Sequence, residues 1–303
     1  MYQMILVPLD GTELAERALP YARALADASH ARLLLVRAVR APSLVAAGEG
    51  GDRDTAMANA EGYLASLITE PSGSPDVITA AYFDDAAETI IEESRLRKSD
   101  LIVMSTHARA GLERTVYGSV AERVFREVNV PVLFIPAGCD RPWLGGGKAR
   151  VLVPLDGSAF SEEALGPARD LAAALHADLI LLRVVPPPEY VRIEGYPDLP
   201  EGQLVEVGNA GEAESYLETV AARLRADGCA VETRVAAGDP VSVITLVVDE
   251  EEVSAVAMAT HGRGGLARLI MGSVATGVLQ QASAPLLLAR PAAIHQQEME
   301  GLT

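Results

Sequence analysis

Met258 to Val278 reads M-A-T-H-G-R-G-G-L-A-R-L-I-M-G-S-V-A-T-G-V, and a near copy, M-S-T-H-A-R-A-G-L-E-R-T-V-Y-G-S-V-A-E-R-V, stands at Met104 to Val124. The two share Thr, His, Arg, Gly, Leu, Arg and Gly-Ser-Val-Ala in one register. An apolar, strand-like run at Val253 to Met258 leads into the loop, and a helix-like run follows Ser273. A loop that feeds a helix start is an anion site, because the first backbone N–H groups lack internal acceptors and lie at the positive end of the helix dipole. Gly262, Gly264 and Gly265 let the backbone take φ > 0 and come close to a ligand, and the Ser273 hydroxyl adds a donor. Arg263 and Arg268 supply charge. The plainer reading is a Gly-Ser helix start with solvated arginines, and the duplication weighs against it.

Working outward, V-P-L-D-G occurs at Val7 to Gly11 and again at Val153 to Gly157, each time after an apolar run that opens a unit. Ala- and Leu-rich helical patterns follow at 12–28 and 158–175, with Thr12 or Ser158 placed to cap and Pro20 or Pro167 shifting or kinking the first turns. Second strands are expected at 32–39 and 178–185, helices at 53–68 and 210–226, and strands at 77–83 and 230–237. Helices at 86–97 and 241–251 lead to strands 101–105 and 253–259, then to the two loops. Short closing strands at 131–135 and 285–289 end each unit. The Asp10–Asp156 separation of 146 residues grows to 154 between His107 and His261, which puts the extra residues most economically in the loop 186–208. Before the fourth helix the second copy has Gly238-Asp239-Pro240 and the first has Phe83-Asp84-Asp85, a turn chemistry read as lost in the first copy.

Strand and helix alternate, which predicts an α/β fold of two tandem Rossmann-like domains, each a five-stranded parallel sheet with helices on both faces and a ligand crevice at the carboxyl ends of the strands. With 303 residues, the chain divides into domains at 1–138 and 149–292, a linker at 139–148 that contains Trp143, and a tail at 293–303.

The spacing Gly262, nine residues, Gly272-Ser273 resembles the ATP-binding signature of the universal stress protein family, G-x2-G-x9-G-[ST], with Ala259 at its first glycine. The upstream copy has Ser105 and Ala108 at the first two glycines and keeps Gly118-Ser119. The resemblance covers about residues 2–136 and 149–290 and implies tandem adenine nucleotide alpha hydrolase-like domains. It implies that Pro154, Leu155, Asp156 and Val184 lie against adenine, and that Met258, Ala259, His261, Gly262, Arg263, Gly265, Gly272, Ser273, Val274 and Ala275 line the ribose and phosphates. The matching places in the first copy are Pro8, Leu9, Asp10, Ala38, Met104, Ser105, His107, Ala108, Arg109, Gly118, Ser119, Val120 and Ala121. Alanine at position 108 adds a methyl where phosphate should approach, so the second domain is the stronger nucleotide candidate. Asp10 and Asp156 also read as helix-capping carboxylates, and the two roles can coexist.

The net charge of −17, with 20 acidic residues in each half against 13 and 11 basic ones, argues against nucleic acid or an anionic membrane as the partner. Cys139 and Cys229 stand far apart and support neither a disulfide framework nor a zinc site. No apolar run reaches the length of a membrane helix and the N-terminus lacks a signal-peptide pattern, so a cytoplasmic location is expected. His107 and His261 have no evident carboxylate partner or nucleophile, and G-x-S-x-G, G-x4-G-K-[ST] and G-x-G-x-x-G after the first strand are all missing. The expected function is ATP binding, with Mg or Mn carried on the phosphates, in a stress-response protein that acts through conformation or an unidentified protein partner. Hydrolysis would be slow at most. The alternatives are a nucleotide-free tandem scaffold with decayed sites and, behind it, an adenylate-releasing enzyme. The tandem is expected to pair its own domains through the closing strands; whether two chains then form a homodimer stays open.

Overall fold

The computed structural model describes residues 1–39, 53–68, 75–106, 118–139, 143, 148–187, 189–191, 205–207, 210–260 and 271–289. Strand β1 (Met4–Pro8) is buried along almost its full length, as a strand covered on both faces must be. The short helix α1 (Glu13–Glu16) and α2 (Ala18–Ser29) follow, then β2 (Arg32–Ala38), α3 (Arg53–Ser66), β3 (Val77–Tyr82), α4 (Ala86–Leu96), β4 (Leu101–Thr106), α5 (Ser119–Glu127) and β5 (Val132–Pro136). The second half repeats the series with β6 (Arg150–Pro154), α6 (Ala159–Glu162), α7 (Leu165–Leu175) and β7 (Asp178–Val185). After a two-stranded ribbon of β8 (Glu189–Val191) and β9 (Val205–Val207), it continues through α8 (Ala210–Ala226), β10 (Val231–Ala237), α9 (Pro240–Glu250), β11 (Ala255–Ala259), α10 (Ser273–Gln281) and β12 (Leu286–Ala289).

The strands form one ten-stranded sheet in the order β10-β7-β6-β11-β12-β5-β4-β1-β2-β3. Each half is parallel within itself, and the halves meet where β12 pairs antiparallel with β5, Leu286 opposite Phe134 and Leu288 opposite Val132. The closing strands are therefore the seam. One core lies on the sheet face covered by α2, α3, α7 and α8, and the other on the face covered by α4, α5, α9 and α10. In both halves the strand order reverses beside β1 or β6, which opens a crevice at the carboxyl ends of those strands. Among the described residues no helix is long and apolar enough to cross a membrane.

Three readings of the sequence change in detail. The first helix of each half is broken in two rather than kinked, since Pro20 and Pro167 cannot donate to the carbonyls four residues earlier and the chain closes tighter turns at Arg17 and at Glu163-Ala164 instead. The long connection 186–208 contains the β8–β9 ribbon, in which Glu189 faces Val207 and Val191 faces Val205. The turn before α4 keeps its chemistry: Asp85 accepts from the amides of Ala87 and Glu88, as Asp239 accepts from that of Ser242 before α9. Only the left-handed Gly238 (φ 147°) has no counterpart, because Asp84 holds the loop by accepting from the Asp85 amide.

Trp143 is buried although it lies in the segment between the halves. Its indole N–H donates to the Ser254 carbonyl at 2.6 Å, and its ring meets Tyr21 edge-on with centroids 5.2 Å apart. The residue thus touches both halves at once.

Candidate functional site

The β1–α1 turn is built by a short acidic motif. Asp10 Oδ1 accepts from the Thr12 amide at 2.9 Å and from its hydroxyl at 2.7 Å, while Thr12 Oγ1 caps α1 by accepting from the Ala15 amide. The second half does the same with Asp156, Ser158 and Ser161, the Ser158 amide and hydroxyl donating to Asp156 Oδ1 at 2.9 and 2.5 Å. The aspartates therefore do shape the turn that starts the helix. Asp10 at the same time lines a cavity, so the structural role does not remove it from the crevice.

That cavity, of about 200 Å³, sits at the strand ends of the first half. Pro8, Leu9 and Asp10 form one wall, Ala38 a second, and Met104, Ser105, Gly118, Ser119, Val120 and Ala121 a third; Ala15, Val36, Ala86 and Ile90 complete it. Every described first-half residue that the sequence singled out is thus in one place. The volume lies below the roughly 300–1,000 Å³ that encloses drug-sized ligands. It has room for a flat ring system, and a larger ligand must extend past the rim. At that rim α5 begins, with Gly118 at its N-cap and Ser119 exposed. The first-turn amides have no acceptor inside the helix, and the residues of that turn line the cavity.

In the second half, Pro154 ends β6, Leu155 and Asp156 follow it, Val184 is at the end of β7, and Met258 and Ala259 end β11. Gly272, Ser273, Val274 and Ala275 begin α10. Gly272 has an ordinary φ of −62°, so its glycine is explained by crowding: a Cβ there would lie 2.9 Å from the Thr260 carbonyl oxygen, which already accepts from the Gly272 amide at 3.0 Å. His107, Ala108, Arg109, His261, Gly262, Arg263, Gly264, Gly265 and Arg268 lie outside the described residues.

The model of the universal stress protein family matches residues 1–136 and 149–290. The chain belongs to that family. It is similar to a universal stress protein of Mycobacterium tuberculosis, 29% identical over 208 residues that cover 69% of this chain and 67% of the relative. The crystal structure of a universal stress protein from Archaeoglobus fulgidus superposes with a TM-score of 0.67 at 20% identity, covering 95% of this chain and 96% of that one. A single-domain universal stress protein from Arabidopsis thaliana, solved with AMP bound, covers 48% of this chain and 94% of its own, at 18% identity and a TM-score of 0.35.

The two universal stress protein halves part company at the helix pair over the crevice. Arg123 of α5 is paired with Asp85 at 2.9 Å, with Glu127 at 3.2 Å and with Glu88, so a charged side chain stands between α5 and α4. The aligned position in the second half is Gly277, where a Cβ would come 2.7 Å from Val241 Cγ2; α10 there packs directly on α9.

A second set of residues carries no mark in the linear pattern. Arg37, Tyr63 and Glu16 meet behind the β1–α1 turn, and Arg183, Tyr216 and Glu162 meet behind the β6–α6 turn. Their recurrence at matching places in the two copies is the signal that finds them. Burial and the Glu162 carboxylate push the Tyr216 phenol up to about 12, and burial with the Glu16 bond raises Tyr63 in the same direction. A phenol whose folded pKa is raised stabilises the fold fully below its unfolded value near 10 and loses that contribution as pH rises through about 12. Spectrophotometric titration should therefore show late-ionising tyrosines, and Tyr216→Phe should remove one of them; a normal titration of all phenols would contradict the geometry.

Proposed function

We propose that this universal stress protein binds ATP at the carboxyl ends of its strands, mainly in the second half, and passes the bound state to a protein partner through conformation. The observation that carries the reading is the first-half cavity, where an apolar slot with one carboxylate is lined on another side by the start of a helix. An adenine ring suits the slot, its polar edge toward Asp10, and phosphates suit the α5 N-terminus. The second half repeats the strand ends, the turn and the helix start, and adds the complete pair Gly262 and Gly272-Ser273, which supports it as the tighter site. Mg or Mn would arrive on the phosphates, with no metal ligand assigned to the protein. When bound, the metal would neutralise phosphate charge.

The functional units in this reading are residues 1–138 and 149–292, joined by 139–148, with a tail at 293–303. The unbridged cysteines Cys139 and Cys229 and the strongly acidic charge accord with a cytoplasmic protein. In this reading any hydrolysis is slow at most.

Ala38→Phe tests the assignment by filling the first-half slot with a ring. In equilibrium titrations with Mg-ATP it should remove a weaker binding event and leave the tighter one unchanged. Loss of the tighter event would place ATP in the first half instead.

A further inference from the structure

We infer that Arg37 and Arg183 are positioning residues that set the aspartate-bearing turn against the ligand's base. The functional consequence rests on the nucleotide reading above. Arg37 lies on β2 between Val36 and Ala38, both of which line the cavity, so strand alternation sends its side chain to the other sheet face. There it runs beneath Gly11, whose left-handed φ of 88° and missing side chain leave the space: a Cβ would fall 2.8 Å from Arg37 Nη2. The guanidinium carbon sits 4.4 Å from the centroid of the Tyr63 ring, and the Tyr63 hydroxyl donates to Glu16 Oε1 at 2.8 Å. The buried Arg37 Nε makes no hydrogen bond among the described residues, so stacking and charge hold this group in place.

The second half reproduces the arrangement with its own residues. Gly157 has φ of 79°, and a Cβ on it would lie 3.5 Å from the Arg183 guanidinium. Arg183 Nη1 donates at 3.2 Å to the carbonyl of Leu155, the main-chain group next to Asp156. The Tyr216 hydroxyl donates to Glu162 at 3.1 Å, and Arg223 fixes that carboxylate from outside at 2.5 Å. Two copies that differ at many positions have kept arginine under glycine, tyrosine beside arginine and glutamate on tyrosine. A general core role does not require these three polar types behind the turn. Holding a loop main chain does, since a planar cation can support a backbone carbonyl, as Arg183 does at Leu155, or stack on a ring, as Arg37 does on Tyr63.

The test uses full-length protein carrying Arg183→Met or Arg183→Lys, each titrated with Mg-ATP and with Mg-tripolyphosphate, together with amide hydrogen exchange of 153–161 in the nucleotide-free state. Arg183→Met should weaken ATP at the tighter site about tenfold, the scale of one lost hydrogen bond to a charged group. Tripolyphosphate affinity should stay unchanged, exchange at Gly157 and Ser158 should quicken, and lysine should restore part of the ATP affinity. Equal loss for both ligands, or unchanged ATP affinity, overturns the inference while leaving the nucleotide reading in place. If the parent protein binds neither ligand, the nucleotide reading fails, and exchange alone decides: unchanged exchange in Arg183→Met sinks the positioning role and quickened exchange sustains it. Should Arg183→Met not fold, Tyr216→Phe supplies the same comparison, with a smaller shift in the same direction expected.

Discussion

Trp143→Ala should destabilise the protein by about 3–5 kcal/mol, the range for deleting a buried large aromatic, and should loosen the two halves from each other. Trp143 is the only tryptophan of the chain and is 9% exposed. Its contacts divide between the halves: Tyr21 belongs to α2, and Ser254 leads into β11. Truncation removes the edge-on ring contact, worth about 0.5–1.5 kcal/mol beyond area burial, and strands the Tyr21 face. It also takes the N–H from the Ser254 carbonyl. Tyr21 is held in turn by its hydroxyl contact with Cys139 Sγ at 3.3 Å, so the loss spreads to the start of the connecting segment. Trp143→Phe keeps an aromatic ring but loses the N–H donor and part of the indole volume, which predicts a smaller cost of about 1–3 kcal/mol. Urea unfolding followed by far-ultraviolet circular dichroism measures both. The alanine variant should unfold earlier and over a broader transition, as the halves separate before each melts. A change under about 1 kcal/mol for Trp143→Ala would mean that Trp143 is not what joins the halves.

If the second half binds ATP as proposed, Gly272→Ala should weaken that binding by up to about 100-fold, the scale on which a displacement of about 1 Å disturbs a positioned site. The φ of −62° is acceptable to alanine, so backbone strain does not enter. What enters is a Cβ placed 2.9 Å from the Thr260 carbonyl oxygen, and that oxygen belongs to backbone that cannot rotate away. Strand end and helix start must separate, breaking the Gly272 N–H to Thr260 bond and moving the first-turn amides of α10 together. Overpacking of this kind costs typically 1–3 kcal/mol of stability. Ser273→Ala is the control, since it deletes one exposed donor and leaves the helix start in place; its effect should be about tenfold or less. Calorimetric titration and urea unfolding of both variants separate the two mechanisms. Equal affinities for Gly272→Ala and the parent would show that the α10 start does not meet the phosphates.

Much of this architecture can be read in the chain because both halves print the same pattern. V-P-L-D-G announced the first strand and its turn, and apolar runs without alternation announced strands covered on both faces. The duplicated Gly-Ser-Val-Ala located two helix starts. Side-chain partners behind the turn were invisible for a different reason. Arg37 and Arg183 sit in otherwise apolar strands and read as interruptions, and Tyr63 and Tyr216 lie within unremarkable helices. Only the fold brings residues 16, 37 and 63 to one place. The first-half turn was misread because Gly-Asp-Pro looks special and Asp-Asp does not, although Asp85 caps α4 as Asp239 caps α9. The strands of the ribbon in the long connection have three residues each, too few for the alternation of Val205-Glu206-Val207 to stand out. His30 and His176 are a further case: both end helices in the left-handed conformation, with φ of 53° and 51°, a use of histidine that no motif marks.

The contrast between Arg123 and Gly277 bears on how the two sites differ. A charged cluster ties α5 to α4, whereas α10 and α9 touch through a glycine and a valine. In sequence the first half has Ser105 and Ala108 at the first two glycines of the signature, and the second departs only at Ala259. The shared ten-stranded sheet joins the two halves despite these differences.

The most direct test of nucleotide binding is calorimetric titration of nucleotide-stripped, full-length protein with Mg-ATP, with Mg-GTP as the comparison and Gly262→Val as the variant. The account predicts saturable heat with ATP, much weaker heat with GTP, and loss of the tighter event in Gly262→Val. No binding of ATP by folded protein would contradict it and leave the tandem as a nucleotide-free scaffold.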